Sequence, residues 1–163
     1  MSIKSNGDST TPVAGDVVGP ASATDDTLAA YDGTTGKLLK DGLAKPIIKI
    51  GITVDGGGSA LTTGLKGYST SPVAGTIERA RLFADQSGSI VFDVWKDTWA
   101  NFPPTGADTI TASAKPTLSS AQNNEDTTLT GWTTSVSKGD VFGFNIDSIT
   151  TITRATLELW IQT

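Results

Sequence analysis

From Asp140 to Gln162, apolar and polar positions alternate in two runs separated by a short polar break. In the first run, Phe142, Phe144 and Ile146 alternate with Val141, Gly143, Asn145 and Asp147. In the second, Ala155, Leu157, Leu159 and Ile161 share one face, and Thr156, Glu158, Trp160 and Gln162 share the other. A period of two over this length marks strands with one buried face. Two such runs joined by a turn near Asp147-Ser148 predict an antiparallel hairpin at the centre of a sheet.

Upstream, Ile47 to Val54 is rich in β-branched residues and reads as a strand, followed by the turn Asp55-Gly56-Gly57-Gly58-Ser59. Leu61 to Ser69 is a weaker strand, with Gly64 and Gly67 suited to an edge or bulge. Thr76 to Ala84 is a strand of mixed pattern, Asp85-Gln86-Ser87-Gly88 a turn, and Ser89 to Asp97 a strand with Ile90, Phe92 and Val94 on its core face. Residues 98 to 108 are a loop, Thr109 to Leu118 contains a short strand, and Ser119 to Asp126 is an exposed polar loop. Thr127 to Ser135 is a strand carrying Trp132. The pattern predicts an all-β fold, an antiparallel β-sandwich or jelly roll of about eight strands.

Residues 1 to 46 break this rhythm. Their apolar residues are sparse (Val13, Val17, Val18, Leu28, Tyr31, Leu38, Leu39 and Leu43), and Pro12, Gly15, Gly19 and Pro20 interrupt them. Such a segment cannot bury enough apolar surface on its own to offset the entropy of ordering it. It reads as an extended N-terminal arm that a neighbouring chain would order. Within it, Leu28 to Tyr31 and Lys37 to Lys40 flank Asp32-Gly33-Thr34-Thr35-Gly36, whose Asp-Gly start signals a small hairpin. The glycine spacing is two residues too short for a phosphate loop, and Leu38 stands where Ser or Thr should follow the lysine. Lys45-Pro46 marks the boundary with a β-domain at 47–163.

Composition narrows the function. The chain has 163 residues, 18 Gly and 7 Pro, a mix that favours short strands and turns over helices. A net charge of −5 without a Lys/Arg cluster argues against a nucleic-acid partner. No apolar run is long enough for membrane insertion, and MSIKSNGDST lacks the apolar core of a signal peptide, so synthesis in a host cytoplasm is expected. With no His and no Cys, Ser-His-Asp and Cys-His nucleophilic systems and the usual zinc sites are excluded. A non-enzymatic protein without cofactor or metal is expected.

The stretch Gly15-Asp16-Val17-Val18-Gly19-Pro20-Ala21-Ser22, then Asp25, then Tyr31-Asp32-Gly33-Thr34-Thr35-Gly36-Lys37-Leu38, resembles one that recurs in virion proteins of tailed bacteriophages. There it sits near the base of tail fibres, head fibres and related appendages. Ser89 to Asp97 and Gly131-Trp132-Thr133 are similar, less distinctively, to C-terminal β-domains of phage structural proteins. The resemblance implies a virion-surface location and a homotrimer. It implies an arm that docks on the major capsid protein or a tail protein through Val17, Val18, Leu28, Tyr31 and Leu38. A capsid decoration protein or short head fibre is placed ahead of a tail fibre, because the chain has no long repetitive shaft. The alternative is a tail-fibre or receptor-binding module for a host surface glycan.

Four side-chain groups are candidates for chemistry. Trp160, on the polar face of the last strand, is expected at a subunit interface. Trp99 and Phe102 are expected to cover one end of the core, the alternative being a stacking platform for a sugar ring. Asp93 and Asp97 span about 13 Å along a strand, too far for a glycosidase carboxylate pair, and read as solvated acids. Asn123-Asn124-Glu125-Asp126 lacks the spacing of a calcium loop and reads as a polar loop.

Overall fold

The computed structural model describes residues 45–163, together with the backbone of two short strands, Ala29–Asp32 (β1) and Leu38–Asp41 (β2). The chain divides into two units, Met1–Lys45 and Pro46–Thr163. In the first, β1 and β2 pair antiparallel, from Ala29↔Asp41 to Asp32↔Leu38. These are the two runs that flank the Asp32-Gly33 turn signal. Tyr31 and Leu38 lie on this hairpin; Val17, Val18 and Leu28 lie outside the described residues.

The second unit is all-β and antiparallel. Its strands are β3 (Ile47–Asp55), β4 (Gly64–Thr70), β5 (Gly75–Asp97), β6 (Thr117–Asp126), β7 (Ser135–Val136), β8 (Val141–Thr150) and β9 (Arg154–Gln162). The order β3-β9-β5-β8-β4 forms one sheet, and β6 and β7 pair with the opposite edge of β5. Seven strands stand where the pattern suggested about eight. The sheet bends over its own inner face and brings β4 back against β3, where a Cβ on Gly67 would sit 3.0 Å from Ile52 Cδ1. Ile50, Leu82, Phe92, Phe144, Leu157 and Ile161 from four different strands share the resulting core. Burying each such side chain contributes about 1.5–3 kcal/mol.

Two expectations fail together, for one reason. Asp85 to Gly88 is not a turn, and β8 and β9 do not form a hairpin. β5 instead runs uninterrupted for 23 residues. Its first half pairs with β9, from Thr76↔Gln162 to Ala84↔Ala155, and its second half with β8, from Ser89↔Thr150 to Asp97↔Val141. β8 and β9 therefore lie in line along one edge of β5, with their break at Thr151-Ile152-Thr153 opposite Asp85–Gly88. The turn-forming residues of β5 satisfy the backbone of that break. Asp85 accepts hydrogen bonds from the amides of Thr153 (3.3 Å) and Arg154 (3.0 Å) and from the Thr153 hydroxyl, and the Gln86 side chain donates to the Thr151 carbonyl. The Thr153 hydroxyl and the Arg154 amide hold the Asp85 carboxyl below the usual carboxylate range. Gly88 lets the chains meet: a Cβ there would lie 2.6 Å from Ile152 Cγ1 and 2.8 Å from the Thr150 carbonyl oxygen. Ile152 itself is fully buried and anchors the corner in the core.

A bulge between Ile77 and Arg79, opposite β9, explains the mixed pattern of Thr76 to Ala84. The extra residue resets parity, so Ile77, Ala80 and Leu82 all face inward. Ser119 to Asp126 is not a loop but most of β6, and its strand form is imposed by pairing, Ala80↔Asp126 through Phe83↔Asn123. Conversely, of the expected strand Thr127 to Ser135 only Ser135 is in one, at the start of β7. Trp132 is buried from a turn segment, its indole donating to the Ala114 carbonyl at 2.8 Å.

Candidate functional site: an aromatic ledge on the outer face

The outer face of the β4-β8-β5 half carries a cluster built around the absence of a side chain. Gly143 on β8 pairs with Tyr68 on β4 and with Trp95 on β5, so these three positions form one row across the sheet. A Cβ on Gly143 would lie 3.4 Å from Pro104 Cγ, 3.5 Å from Trp95 Cε3 and 3.5 Å from Tyr68 Cε1. Two rings and a proline thus converge over the bare glycine backbone.

The loop after β5 extends this row into solvent. Asp97 ends the strand and accepts from the Thr98 amide (2.6 Å) and the Asn101 side-chain amide (3.0 Å), which shapes a single 3-10 turn, Trp99–Asn101. Those two bonds hold its carboxyl below the ordinary range. The Phe102-Pro103 bond is cis. A second 3-10 turn, Gly106–Asp108, is closed by a capping box in which Asp108 accepts from the Thr105 amide (2.8 Å) and hydroxyl (2.9 Å). Phe102 meets Tyr68 edge-on, with centroids 4.9 Å apart, and Trp99 stacks on Phe102 at 5.9 Å with 26° between the planes. Both geometries suit the ring quadrupole. Trp99 is 70% exposed, Phe102 47% and Tyr68 41%. The expectation that Trp99 and Phe102 cover one end of the core is therefore corrected: both stand clear of it, as a ledge. Among the described residues, the other exposed large apolar side chains (Ile47, Leu65 and Phe83) belong to no aromatic pair.

Two residues before Trp95 on β5 lies Asp93, which is not a solvated acid. It is 5% exposed, on the same outer face as Trp95, because residues 109–115 fold over it. Its carboxylate accepts from the hydroxyls of Thr109 (2.6 Å) and Thr111 (2.7 Å), the Trp95 indole (3.1 Å) and the Lys115 ammonium (3.1 Å). Burial pushes this carboxyl up, but the donors outweigh burial and hold it below the usual range. Lys115 also donates to Asp147 at 2.6 Å, and that bond, ahead of the one to Asp93, raises its own pKa. With four donors on one carboxylate, Asp93 is a structural latch, saturated and low in basicity. It has neither the free lone pair nor the raised pKa of a general acid or base.

Trp160 lies on the outer face of β9, half-buried by its own chain. Arg81, Arg79 and Lys49 approach its ring at 4.4, 4.9 and 5.6 Å from the centroid, and its indole donates to Glu158 at 3.2 Å. Glu125 pairs with Arg79 (3.4 Å) and with Arg81, and Glu158 with Lys49 (3.3 Å). Asn123, Asn124 and Glu125 lie on β6, and the Asp126 carboxylate is spent on the Thr128 amide and hydroxyl and the Leu129 amide. Among the described residues no cluster of three or more acidic side chains could hold a metal ion.

Residue types alone could not expose the third ring: Tyr68 lies 31 positions before Trp99, and only the row through Gly143 joins them. The solvent position of Trp99 and Phe102 had a sequence signal, two prolines directly after Phe102, but one equally compatible with a lid. Compared with known proteins, the chain matches no family model, no curated protein and no solved structure.

Proposed function

We propose that this chain is a non-enzymatic appendage protein of a tailed-phage virion, attached through its N-terminal residues and presenting a glycan-recognition surface on its β-domain. The observation that carries the recognition half is the ledge of Tyr68, Trp99 and Phe102, three adjoining exposed aromatic rings, one on β4 and two on the loop after β5. Contiguous exposed apolar surface of this kind has an energetic cost in water and marks an interaction site. The virion half rests on the likeness of Gly15–Ser22 and Tyr31–Leu38 to the appendage motif. A homotrimer, with three arms docking at one particle site, would convert weak individual contacts into firm attachment.

A second reading is a trimeric capsid decoration or head-fibre protein on the major capsid protein. It rests on the same likeness of Gly15–Ser22 and Tyr31–Leu38, a stretch that recurs near the base of head fibres as well as tail fibres. Its proposed interface residue, Trp160, already has its ring occupied by three cations of the same chain. Immunogold labelling of intact virions with an antibody to residues 47–163 separates the two. Label at the tail tip supports the receptor-binding reading, label over the head supports the decoration reading, and unlabelled virions would overturn both.

A further inference from the structure

The chemistry around the ledge selects among saccharides. We infer that the ledge takes neutral glycans, stacking the C–H face of unsubstituted pyranose rings on Trp99 and Phe102, and rejects anionic ones. This inference rests on the glycan reading above and deepens it.

Three observations carry it. First, the polar groups that frame the rings are acidic or uncharged: Asp97 and Asn101 below Trp99, and Thr105 and Asp108 after the prolines. These carboxylates each accept two bonds from their own loop and retain acceptor capacity for sugar hydroxyl donors. Second, residues 98 to 114 contain no Lys or Arg. Third, the lysines on the flanking segments are engaged. Lys66 donates to the Thr62 hydroxyl (3.0 Å) and the Thr63 carbonyl (3.1 Å), Lys96 pairs with the buried Asp140 (2.9 Å), and Lys115 bridges Asp93 and Asp147. A uronate or sialate carboxylate docked on the Trp99 and Phe102 rings would meet Asp97 and Asp108 with no Lys or Arg of the same loop to neutralise it, and like charges at such range repel. A neutral pyranose brings no such penalty. It offers polarised C–H groups to the negative ring faces and hydroxyls to the acidic rim.

The test uses the full chain, titrated with maltoheptaose, cellohexaose and a neutral galactan, and in parallel with polygalacturonate and polysialic acid. Isothermal calorimetry and tryptophan fluorescence read the binding. The expected result is saturable binding to at least one neutral glycan, insensitive to salt, and none to the polyanions. Trp99→Ala and Phe102→Ala should each weaken it by about tenfold. Both side chains are exposed, so far-UV circular dichroism and the urea midpoint should show retained folding. Binding of polyanions alone, abolished by Trp99→Ala, would overturn the neutral preference and leave the glycan site standing. Binding to no probe would overturn both, and binding that survives the double substitution would move the site off the ledge.

Discussion

The hydroxyl of Thr111, wholly buried, donates to the buried carboxylate of Asp93 at 2.7 Å, across 18 residues of chain. This bond and its companions from Thr109 and Lys115 tie the far end of the ledge loop to the strand from which the loop departs. Removing the carboxylate takes the acceptor from two hydroxyls and the Trp95 indole and leaves Lys115 with Asp147 alone. Asp93→Ala should therefore cost about 3 kcal/mol of unfolding free energy. Asp93→Asn, which keeps an acceptor, should cost less. A loss under about 0.5 kcal/mol in urea unfolding of Asp93→Ala, the range of an ordinary surface change, would refute the latch.

Stability should respond to pH only at the extremes. The Asp93 and Asp126 carboxyls are held below their ordinary value of 3.8. A depressed folded pKa means that the unfolded chain binds protons more readily, so this stability is present above the unfolded value and is lost as pH falls through the folded one. Lys115 is raised above 10.5. Its contribution is present below that value and is lost as pH rises through the folded one. With no His and no Cys, no side chain has an ordinary pKa between these limits and near neutrality. Urea midpoints should stay level from about pH 5 to 9 and fall below about pH 4. Asp93→Asn should flatten the acid limb; an unchanged limb would assign that loss to other acids.

Two glycines of the sheet should answer differently to the same substitution. A Cβ at Gly88 would press on the Thr150 carbonyl at 2.8 Å and on Ile152 at 2.6 Å, at the corner where β5 and the β8–β9 line bend. Gly88→Ala should cost about 1–3 kcal/mol. Gly143 meets its neighbours at 3.4–3.5 Å, ordinary contact. Gly143→Ala should be within about 0.5 kcal/mol of the parent. Equal midpoint shifts in thermal unfolding would contradict this account of the corner.

The Trp160 ring and the Arg81 guanidinium, 4.4 Å apart, should be energetically coupled. A double-mutant cycle with Trp160→Leu and Arg81→Gln should give about 0.5–1 kcal/mol of interaction. A value near zero would leave Trp160 free to serve a subunit contact. Native mass spectrometry of Trp160→Leu would then show whether an oligomer is lost.

The inner faces of this domain can be read from residue order because alternation is a local property. Phe142-Phe144-Ile146, Ala155-Leu157-Leu159-Ile161 and Ile90-Phe92-Val94 each bury one side of a strand whatever that strand pairs with. The extended antiparallel class and the acid-saturated, His-free chemistry follow from composition and the same alternation. Partner choice does not. Asp85 to Gly88 has the residues of a turn, but its polar side chains find Thr151, Thr153 and Arg154, more than sixty positions away, and the strand continues. β6 is a strand because β5 supplies its hydrogen bonds, although its own residues are polar. Asp93 is polar by identity and buried by Thr109, Thr111 and Lys115. The ledge has the same origin: Trp99 and Phe102 are neighbours in the chain, but Tyr68 joins them only because β8 pairs with both β4 and β5 and sets Tyr68, Gly143 and Trp95 in one row. Side-chain periodicity is set by the geometry of one strand, whereas pairing, cover and exposure are set by segments that meet only when the sheet closes.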